Sequence, residues 1–209
     1  QPLYTGDFVI GSGPSVGDME DAMQFNGVIY VGSESYLDRY SIGQSRWLSA
    51  IDMGDTVSQI VNDGTNVVVA TMGSGIHIVD ASGNVIDTWD SSDGLQSDDV
   101  SGLDVEGDWV VASHPQNGAT AFNKSAAGSA VTLNEANSDL DSDNPTGIAI
   151  HNGVAYIGTA DDGLNRYIIA NDTFLGSWVS TGINDVNFAP LAILGTCLLY
   201  TSPSPRDWL

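Results

Sequence analysis

Two stretches of the sequence carry carboxylates at a spacing that suits a hard cation. The carboxylates lie two or three residues apart and belong to Asp90, Asp93, Asp139, Asp141 and Asp143. A loop can bring oxygen ligands at this spacing onto Ca²⁺. Neither stretch has the downstream glutamate of an EF-hand loop. Calcium is therefore a candidate cofactor, and no other cofactor is expected.

The histidines give a weaker indication of chemistry. His77, His114 and His151 are predicted on a strand, in a loop and in a turn, so a shared metal cluster is not expected. No set of His, Arg or nucleophilic side chains recurs at equivalent places in three or more units, and Arg39 and Arg166 recur in only two. Because an enzyme site needs polar side chains that converge, we expect no catalytic residues and no enzymatic activity.

Two triplets fit the sequon for N-linked glycosylation. They begin at Asn123 and Asn171 and read Asn-Lys-Ser and Asn-Asp-Thr. Both are predicted in or beside loops, where a sugar could be attached in an exported protein.

A repeat of about forty residues organises the elements that must hold these side chains. Four turn dipeptides end in Gly27, Gly64, Gly107 and Gly153, which lie 37, 43 and 46 residues apart. Asn-Gly and Asp-Gly are strong hairpin signals, because both central residues of a type I′ turn need a positive φ. A short apolar strand follows each dipeptide and is predicted to end in a small residue and a hydroxyl.

Each unit then continues with two more strands and an acidic loop that leads to the first strand of the next unit. The third strands are predicted at 37–40, 76–79, 119–122 and 164–167, and the fourth strands at 46–48, 85–89, 130–133 and 174–178. Four short antiparallel strands every forty residues are typical of a β-propeller blade. The sequence therefore predicts an all-β propeller fragment of about four blades with an incomplete ring. A β-sandwich is the alternative, but it does not predict so regular a period.

The predicted boundaries follow this period. The blades are assigned to 18–56, 57–99, 100–143 and 144–182, with the end of a preceding blade at 1–17 and the start of a further one at 183–196. Residues 197–207 resemble a translated sequencing adapter, so 197–209 is set aside as a non-native tail. The chain is expected to be part of a longer protein.

Two known repeat families resemble these units. The stretches 93–100 and 107–113 resemble the two-component regulator propeller repeat, although Asp99 stands where asparagine is usual. The stretch 152–178 resembles both that repeat and the repeat of quinoprotein-like (PQQ-like) propellers. The resemblance implies a propeller. It implies no particular function, because both families include sensors, enzymes and scaffolds, and no catalytic or quinone-binding residue can be carried over.

Charge excludes several classes of partner. The chain of 209 residues has 27 acids against 5 bases and a net charge of −22. Five bases cannot build the cationic face that nucleic acid requires, so no nucleic-acid partner is expected. No run of about 20 apolar residues exists, so the fragment is not expected to insert into a membrane.

The antiparallel order of the strands predicts where the acids collect. Loops from a fourth to a first strand and from a second to a third strand must emerge at the same end of the propeller. We predict a partner-binding face there that includes Asp98, Asp99, His114, Asp161, Asp162 and Asp185. Such a face attracts a cationic ligand or a basic protein. The alternative is an acidic surface that only maintains solubility.

These observations favour a non-enzymatic binding, sensory or scaffold module. Its expected location is extracellular, periplasmic or on the cell surface, and further blades of the same chain are needed to close the ring. One alternative is a fragment of a quinoprotein-like or hydrolase-like propeller enzyme. The other is a structural or adhesive repeat stabilised by calcium.

Overall fold

A computed structural model describes residues 17–126, 128–136, 138–159 and 163–178, and the backbone of 191–194 and 197–200. Nearly all of the regular structure in these residues is β-strand, and the exception is a 3₁₀ turn at Ile169–Asn171. No helix among them has the length and apolar character that a membrane span requires.

Four antiparallel sheets follow one another along the chain. Three are simple four-stranded meanders, and the first has a short fifth strand that, like its fourth, pairs with the third. Blade 1 contains β1 (Met19–Phe25), β2 (Val28–Ser33), β3 (Tyr36–Ser41), β4 (Arg46–Trp47) and β5 (Ile51–Asp52). Blade 2 contains β6 (Val57–Asn62), β7 (Val67–Thr71), β8 (Ile76–Val79) and β9 (Val85–Trp89). Blade 3 contains β10 (Gly102–Glu106), β11 (Trp109–His114), β12 (Gly118–Asn123) and β13 (Val131–Leu133). Blade 4 contains β14 (Pro145–His151), β15 (Val154–Thr159), β16 (Gly163–Ile168) and β17 (Thr173–Trp178).

A further pair of strands follows blade 4. β18 (Leu191–Leu194) pairs with β19 (Cys197–Tyr200), and β18 contacts β14. The adapter-like residues thus begin in a strand of this structure, while their origin stays a prediction. The blade boundaries given above also stay predictions.

The first hairpin turns of blades 1 and 4 have the type I′ conformation that their Asn-Gly dipeptides predict. Asn26 and Gly27 have φ values of 48° and 78°, and Asn152 and Gly153 have values of 52° and 72°, as a type I′ turn needs. The type I′ expectation is wrong in blades 2 and 3. The turn residues of blade 3 are Gly107 and Asp108, and only Gly107 has a positive φ. In blade 2 a four-residue loop joins the paired ends of β6 and β7. Asp63 closes that loop by accepting hydrogen bonds from two backbone N–H groups.

Alternate residues of one strand pack against different neighbouring blades. Val67 and Val69 belong to an apolar cluster shared with blade 1, whereas Val68 and Ala70 belong to one shared with blade 3. All four side chains are buried. Period two in a strand places successive side chains on opposite faces, so a continuous apolar run is what a blade buried on both faces needs. A third cluster joins blades 3 and 4.

The first strands lie inside and the fourth strands outside. β6 contacts β1 and β10, and β10 contacts β14. In contrast, four of the five residues of β9 are exposed. The described residues therefore form an all-β propeller fragment of four blades, arranged around an axis that the first strands face, with the ring incomplete.

In blade 3 the second strand ends one residue later than the sequence repeat predicts. Thr71 and Thr159 end their strands four residues before Gly75 and Gly163, and the residue four before Gly118 is His114. All three glycines have a positive φ, and Gly118 and Gly163 are the first residues of the third strands in their blades. His114, not Ser113, thus takes the place of the hydroxyl residue. The expectation that each second strand ends in a small residue and a hydroxyl is wrong in this blade.

Side chains of the first strands join consecutive blades through hydrogen bonds to the backbone. Asp21 accepts one from the Ile60 N–H at 2.7 Å, and Gln59 accepts one from the Leu103 N–H at 2.7 Å. Asp104 makes the same kind of bond to the next blade, because its carboxylate accepts a hydrogen bond from the Ile150 N–H at 2.6 Å. These bonds satisfy N–H groups of inner strands and fix the stagger between blades.

Among these three side chains, Asp104 is the one whose negative charge is destabilised by burial. Burial raises the pKa of Asp104, and the negative charge of Glu106 adds to that effect, while the N–H groups of Ile150 and Val105 act in the opposite direction. The ionised carboxylate accepts the hydrogen bond strongly, but its burial costs more free energy than burial of the neutral amide that Gln59 supplies between blades 2 and 3.

We expect Asp104→Asn to leave stability unchanged at pH 7 or to raise it by up to about 1 kcal/mol, since an amide oxygen accepts the same bond without a buried charge. Asp104→Ala should cost about 1–3 kcal/mol, because the Ile150 N–H then loses its partner. The folded state binds the Asp104 proton more tightly than the unfolded state, so the advantage of asparagine should shrink as the pH is lowered. Urea unfolding of both variants measures this, and equal losses in the two would contradict it.

Candidate binding face

Three backbone hydrogen bonds bring the two predicted sets of loops together at one end of the propeller. The Met53 N–H donates to Ser35, the Gly75 N–H to Asp98, and the Gly118 N–H to Asp143. In each case a loop between second and third strands meets the loop that leaves the fourth strand of the same blade. We name this end the acidic pole and define it by residues 34–35, 51–56, 72–75, 90–99, 115–117, 134–136 and 138–144.

The acidic pole carries many carboxylates and no Lys or Arg in those residues. Its acids are Glu34, Asp52, Asp55, Asp90, Asp93, Asp98, Asp99, Glu135, Asp139, Asp141 and Asp143. The bases among the described residues lie in other parts of the blades and are Arg39, Arg46, Lys124 and Arg166. Lys124 is paired with Asp63 at 2.7 Å, and Arg39 donates to the carbonyls of Ser49 and Ser82.

Asp98 and Asp99 have different surroundings within this pole. The Asp98 side chain is half-buried and accepts a hydrogen bond from the Ser91 N–H at 2.6 Å. Asp99 is exposed, and its carbonyl oxygen lies 3.0 Å from His114 Nδ1. Asp99 is therefore the better placed of the two to meet a partner, whereas Asp98 helps to shape the loop.

His114 lies below this surface and not on it. The ring is fully buried, and its Nε2 lies 2.9 Å from the Thr120 hydroxyl. The Asp99 carbonyl can only accept, so Nδ1 carries the hydrogen and Nε2 accepts from Thr120. Burial lowers the pKa of His114, and nearby Asp99 and Asp98 offset part of that effect. A partner at the acidic pole cannot contact this ring, which instead supports the Asp99 backbone.

The carboxylates of the calcium hypothesis bind backbone N–H groups of their own loops. Asp90 accepts from Ser92 at 2.7 Å, Asp93 from Asp90 at 3.3 Å, and Asp143 from Glu135 at 2.7 Å. Hydrogen bonds with Ser92 hold the pKa of Asp90 below its ordinary value.

No three His, Cys, Asp or Glu side chains meet in a group suited to a metal ion within the part of the chain that the structure describes. Asp139 and Asp141 are exposed. Calcium binding at these loops stays a prediction.

Of the remaining predicted residues, some belong to the described part of the chain and others do not. Asp161, Asp162 and Asp185 are outside the described residues. Asn123 is half-buried, and its side-chain oxygen accepts the Ser125 N–H; Asn171 is exposed at the end of the 3₁₀ turn. Glycosylation at both asparagines stays a prediction.

One sequence motif needs the structure for its interpretation. Residues 13–17 read Gly-Pro-Ser-Val-Gly, which fits the G-x-S-x-G pattern of a nucleophile elbow. That motif requires a helix directly after the turn. The element that follows is the strand β1, so the context of a nucleophile elbow is missing. Residues 13–16 themselves lie outside the described residues.

Comparison with solved structures supports the same fold. The designed protein Ika8 superposes with a TM-score of 0.68 at 15% identity, over 88% of this chain and 55% of that one. The extracellular domain assigned to the hybrid two-component system BT3049 of B. thetaiotaomicron gives 0.64 at 17% identity, over 80% of this chain and 25% of that one. The extracellular domain of BT4673 from the same organism gives 0.61 at 18% identity, over 87% and 24%.

These likenesses establish the fold class and no more, because the identities are low. The chain spans about a quarter of the length of the two B. thetaiotaomicron domains. No family model matches the sequence, and no curated protein matches it significantly. The protein is thus defined by its architecture as a β-propeller fragment, similar in structure to extracellular domains of two-component systems.

Proposed function

We propose that the chain is a non-enzymatic sensory or recognition module whose acidic pole binds a cationic ligand or a basic protein. The observation that carries the proposal is that the acidic pole holds acids without a base. Eleven acids belong to the residues that define the acidic pole, and no Lys or Arg does. A group of carboxylates on converging loops, with no Lys or Arg in those loops, raises the local concentration of cations and speeds the approach of a basic partner.

The structural neighbours support the sensory part of this proposal. Two of them are extracellular domains assigned to two-component systems, which are systems that report external signals to a cell. A location outside the cytoplasm suits the acidic composition. We therefore also propose an extracellular, periplasmic or cell-surface location for the protein.

A defined cationic probe tests the role of the acidic pole. We expect an octalysine peptide to bind with an affinity that falls steeply as salt is raised, because exposed charges are screened. The triple variant Asp99→Asn, Asp139→Asn, Asp141→Asn should weaken binding about tenfold, which corresponds to a modest contribution from each exposed carboxylate. Calorimetric titration over a salt series measures both effects.

The matched control removes the same charge from other surfaces. Asp80, Asp108 and Asp172 lie outside the acidic pole, on the loop between β8 and β9, on the turn between β10 and β11, and at the end of the 3₁₀ turn between β16 and β17. Neutralising these three should change the affinity by less than about threefold. Equal losses in the two triple variants would show that only net charge matters and would refute a localised face.

A further inference from the structure

An open cavity of about 420 Å³ lies on the outer side of the junction between blades 2 and 3. One wall comes from the outer strand β9 and the loop after it, with Asp87, Trp89 and Asp93. The opposite wall comes from the loop between β12 and β13. Pockets that hold small organic ligands typically have volumes of about 300–1,000 Å³, so this cavity has the size for such a ligand.

The cavity has an aromatic wall. Trp89 is half-buried and Phe122 is buried, and their rings meet edge to face with centroids 4.8 Å apart and an interplanar angle of 81°. Alternation along β9 places Asp87 on the same side of the strand as Trp89. An aromatic surface and a carboxylate thus face the same space.

The charge of the lining is negative. Asp87 and Asp93 are both exposed, and the single Lys or Arg among the described lining residues is Lys124. The Lys124 ammonium lies 2.7 Å from the Asp63 carboxylate, which is 5% exposed, so its charge is already neutralised by an inner partner. The carboxylates of the cavity therefore lack a cation from this lining.

Small residues keep the cavity open. The loop opposite β9 contributes Ala126, Gly128 and Ala130, and a Cβ added at Gly128 would meet nothing within 4 Å. In contrast, a Cβ at Gly94 would lie 2.9 Å from the Ala130 side chain, so the two walls close together at that end. The cavity is thus bounded at one end and accessible along the outer surface.

We propose that this cavity binds a small organic ammonium ion, with its apolar body against Trp89 and Phe122 and its charge beside Asp87 and Asp93. The apolar body gains contact with the aromatic wall, and the ammonium ion gains charge-assisted hydrogen bonds to the carboxylates. A neutral ligand of the same shape would gain only the apolar contact. The site is separate from recognition by the acidic pole, although Asp93 belongs to both surfaces.

Benzylamine and benzyl alcohol are a matched pair of probes, since they differ little in shape and benzylamine is protonated at pH 7. We expect benzylamine to bind in the millimolar range and benzyl alcohol to bind about tenfold more weakly. Saturation-transfer NMR and calorimetry on the whole chain measure both. The variant Asp87→Asn, Asp93→Asn should weaken benzylamine at least about tenfold and leave benzyl alcohol unchanged.

The control is Asp139→Asn, Asp141→Asn, which removes two exposed charges of the acidic pole away from the cavity. It should retain benzylamine affinity. Equal binding of the two probes, equal losses in the two double variants, or no binding of benzylamine would each overturn the proposal. Octalysine binding by the acidic pole can fail or succeed independently, because the variants that test it, at Asp99, Asp139 and Asp141, leave Asp87 and Asp93 unchanged.

Discussion

Replacing Gly118 by alanine should destabilise the chain by about 3–5 kcal/mol, one of the largest single-residue effects in this fold. Gly118 begins β12 with a φ of 78°, a conformation that L-residues adopt at a cost. An added Cβ would also lie 2.2 Å from the Leu133 carbonyl oxygen. That oxygen belongs to the backbone of the paired strand β13, so relief requires the two strands to separate. Urea unfolding followed by circular dichroism measures the loss.

Gly153 provides the matched control, because it shares the backbone conformation without the collision. Its φ is 72°, and a Cβ added there would meet nothing within 4 Å. Gly153→Ala should therefore cost only about 1–2 kcal/mol, the price of the left-handed conformation. If Gly118→Ala costs no more than this control, the close approach to Leu133 has no energetic weight.

Blade 2 has a glycine in the same position, with the same close approach to the fourth strand. Gly75 has a φ of 73°, and an added Cβ would lie 2.2 Å from the Trp89 carbonyl oxygen. In both blades the glycine lets the third strand begin directly against the end of the fourth. This contact also brings the two loops of the acidic pole together, since the N–H groups of Gly75 and Gly118 donate to Asp98 and Asp143. The fold and the candidate face therefore depend on the same glycines.

The sequence could predict the blades because their signals are local. Turn dipeptides and apolar runs lie within a few residues of each other, and two strands of blade 2, at Ile76–Val79 and Val85–Trp89, have the predicted bounds. The strands β1 and β5 were not predicted. β1 has no buried residue and β5 is two residues long, so neither leaves a clear apolar pattern.

The candidate site was predictable only at the level of topology. Antiparallel order assigns a loop to one end of the propeller, and this places carboxylates such as Asp99 and Asp141 without any knowledge of packing. The bond from the Ile150 N–H to Asp104 joins residues 46 positions apart. No local pattern reports such a pair. The burial of His114 was missed for a related reason, because Ser113 looked like the end of the repeated strand.

His114→Ala should cost about 2–4 kcal/mol, through a buried cavity and through lost hydrogen bonds. The ring joins the Asp99 carbonyl to the Thr120 hydroxyl. Thr120 in turn accepts the Gln96 N–H at 3.0 Å. Without the ring, the buried Thr120 hydroxyl and the Asp99 carbonyl each lose a partner, and the loop that carries Asp99 loses its support. Urea unfolding gives the cost. His151, predicted in a turn, is the half-buried last residue of β14, and His151→Ala should cost much less.

The pH dependence separates this role from simple packing. Burial holds the pKa of folded His114 below its ordinary value of 6.5, so the unfolded chain binds the proton first as the pH falls. Stability should therefore decline below pH 6.5, by at most about 1.4 kcal/mol per pH unit, until the folded ring is also protonated. The pKa of His77 is lowered by burial as well, so the wild-type decline contains both residues.

His114→Thr is the variant that distinguishes these contributions. Thr71 and Thr159 occupy the equivalent place in blades 2 and 4, where each hydroxyl donates to the carbonyl four residues on, at 2.8 and 3.1 Å. A threonine at 114 can make the same bond to Gly118, so it should cost about 1 kcal/mol less than alanine. It should also reduce the decline in stability between pH 6.5 and 5. A decline as steep as that of the wild type would mean that the buried His114 ring is not its source, and that His77 or the carboxylates are.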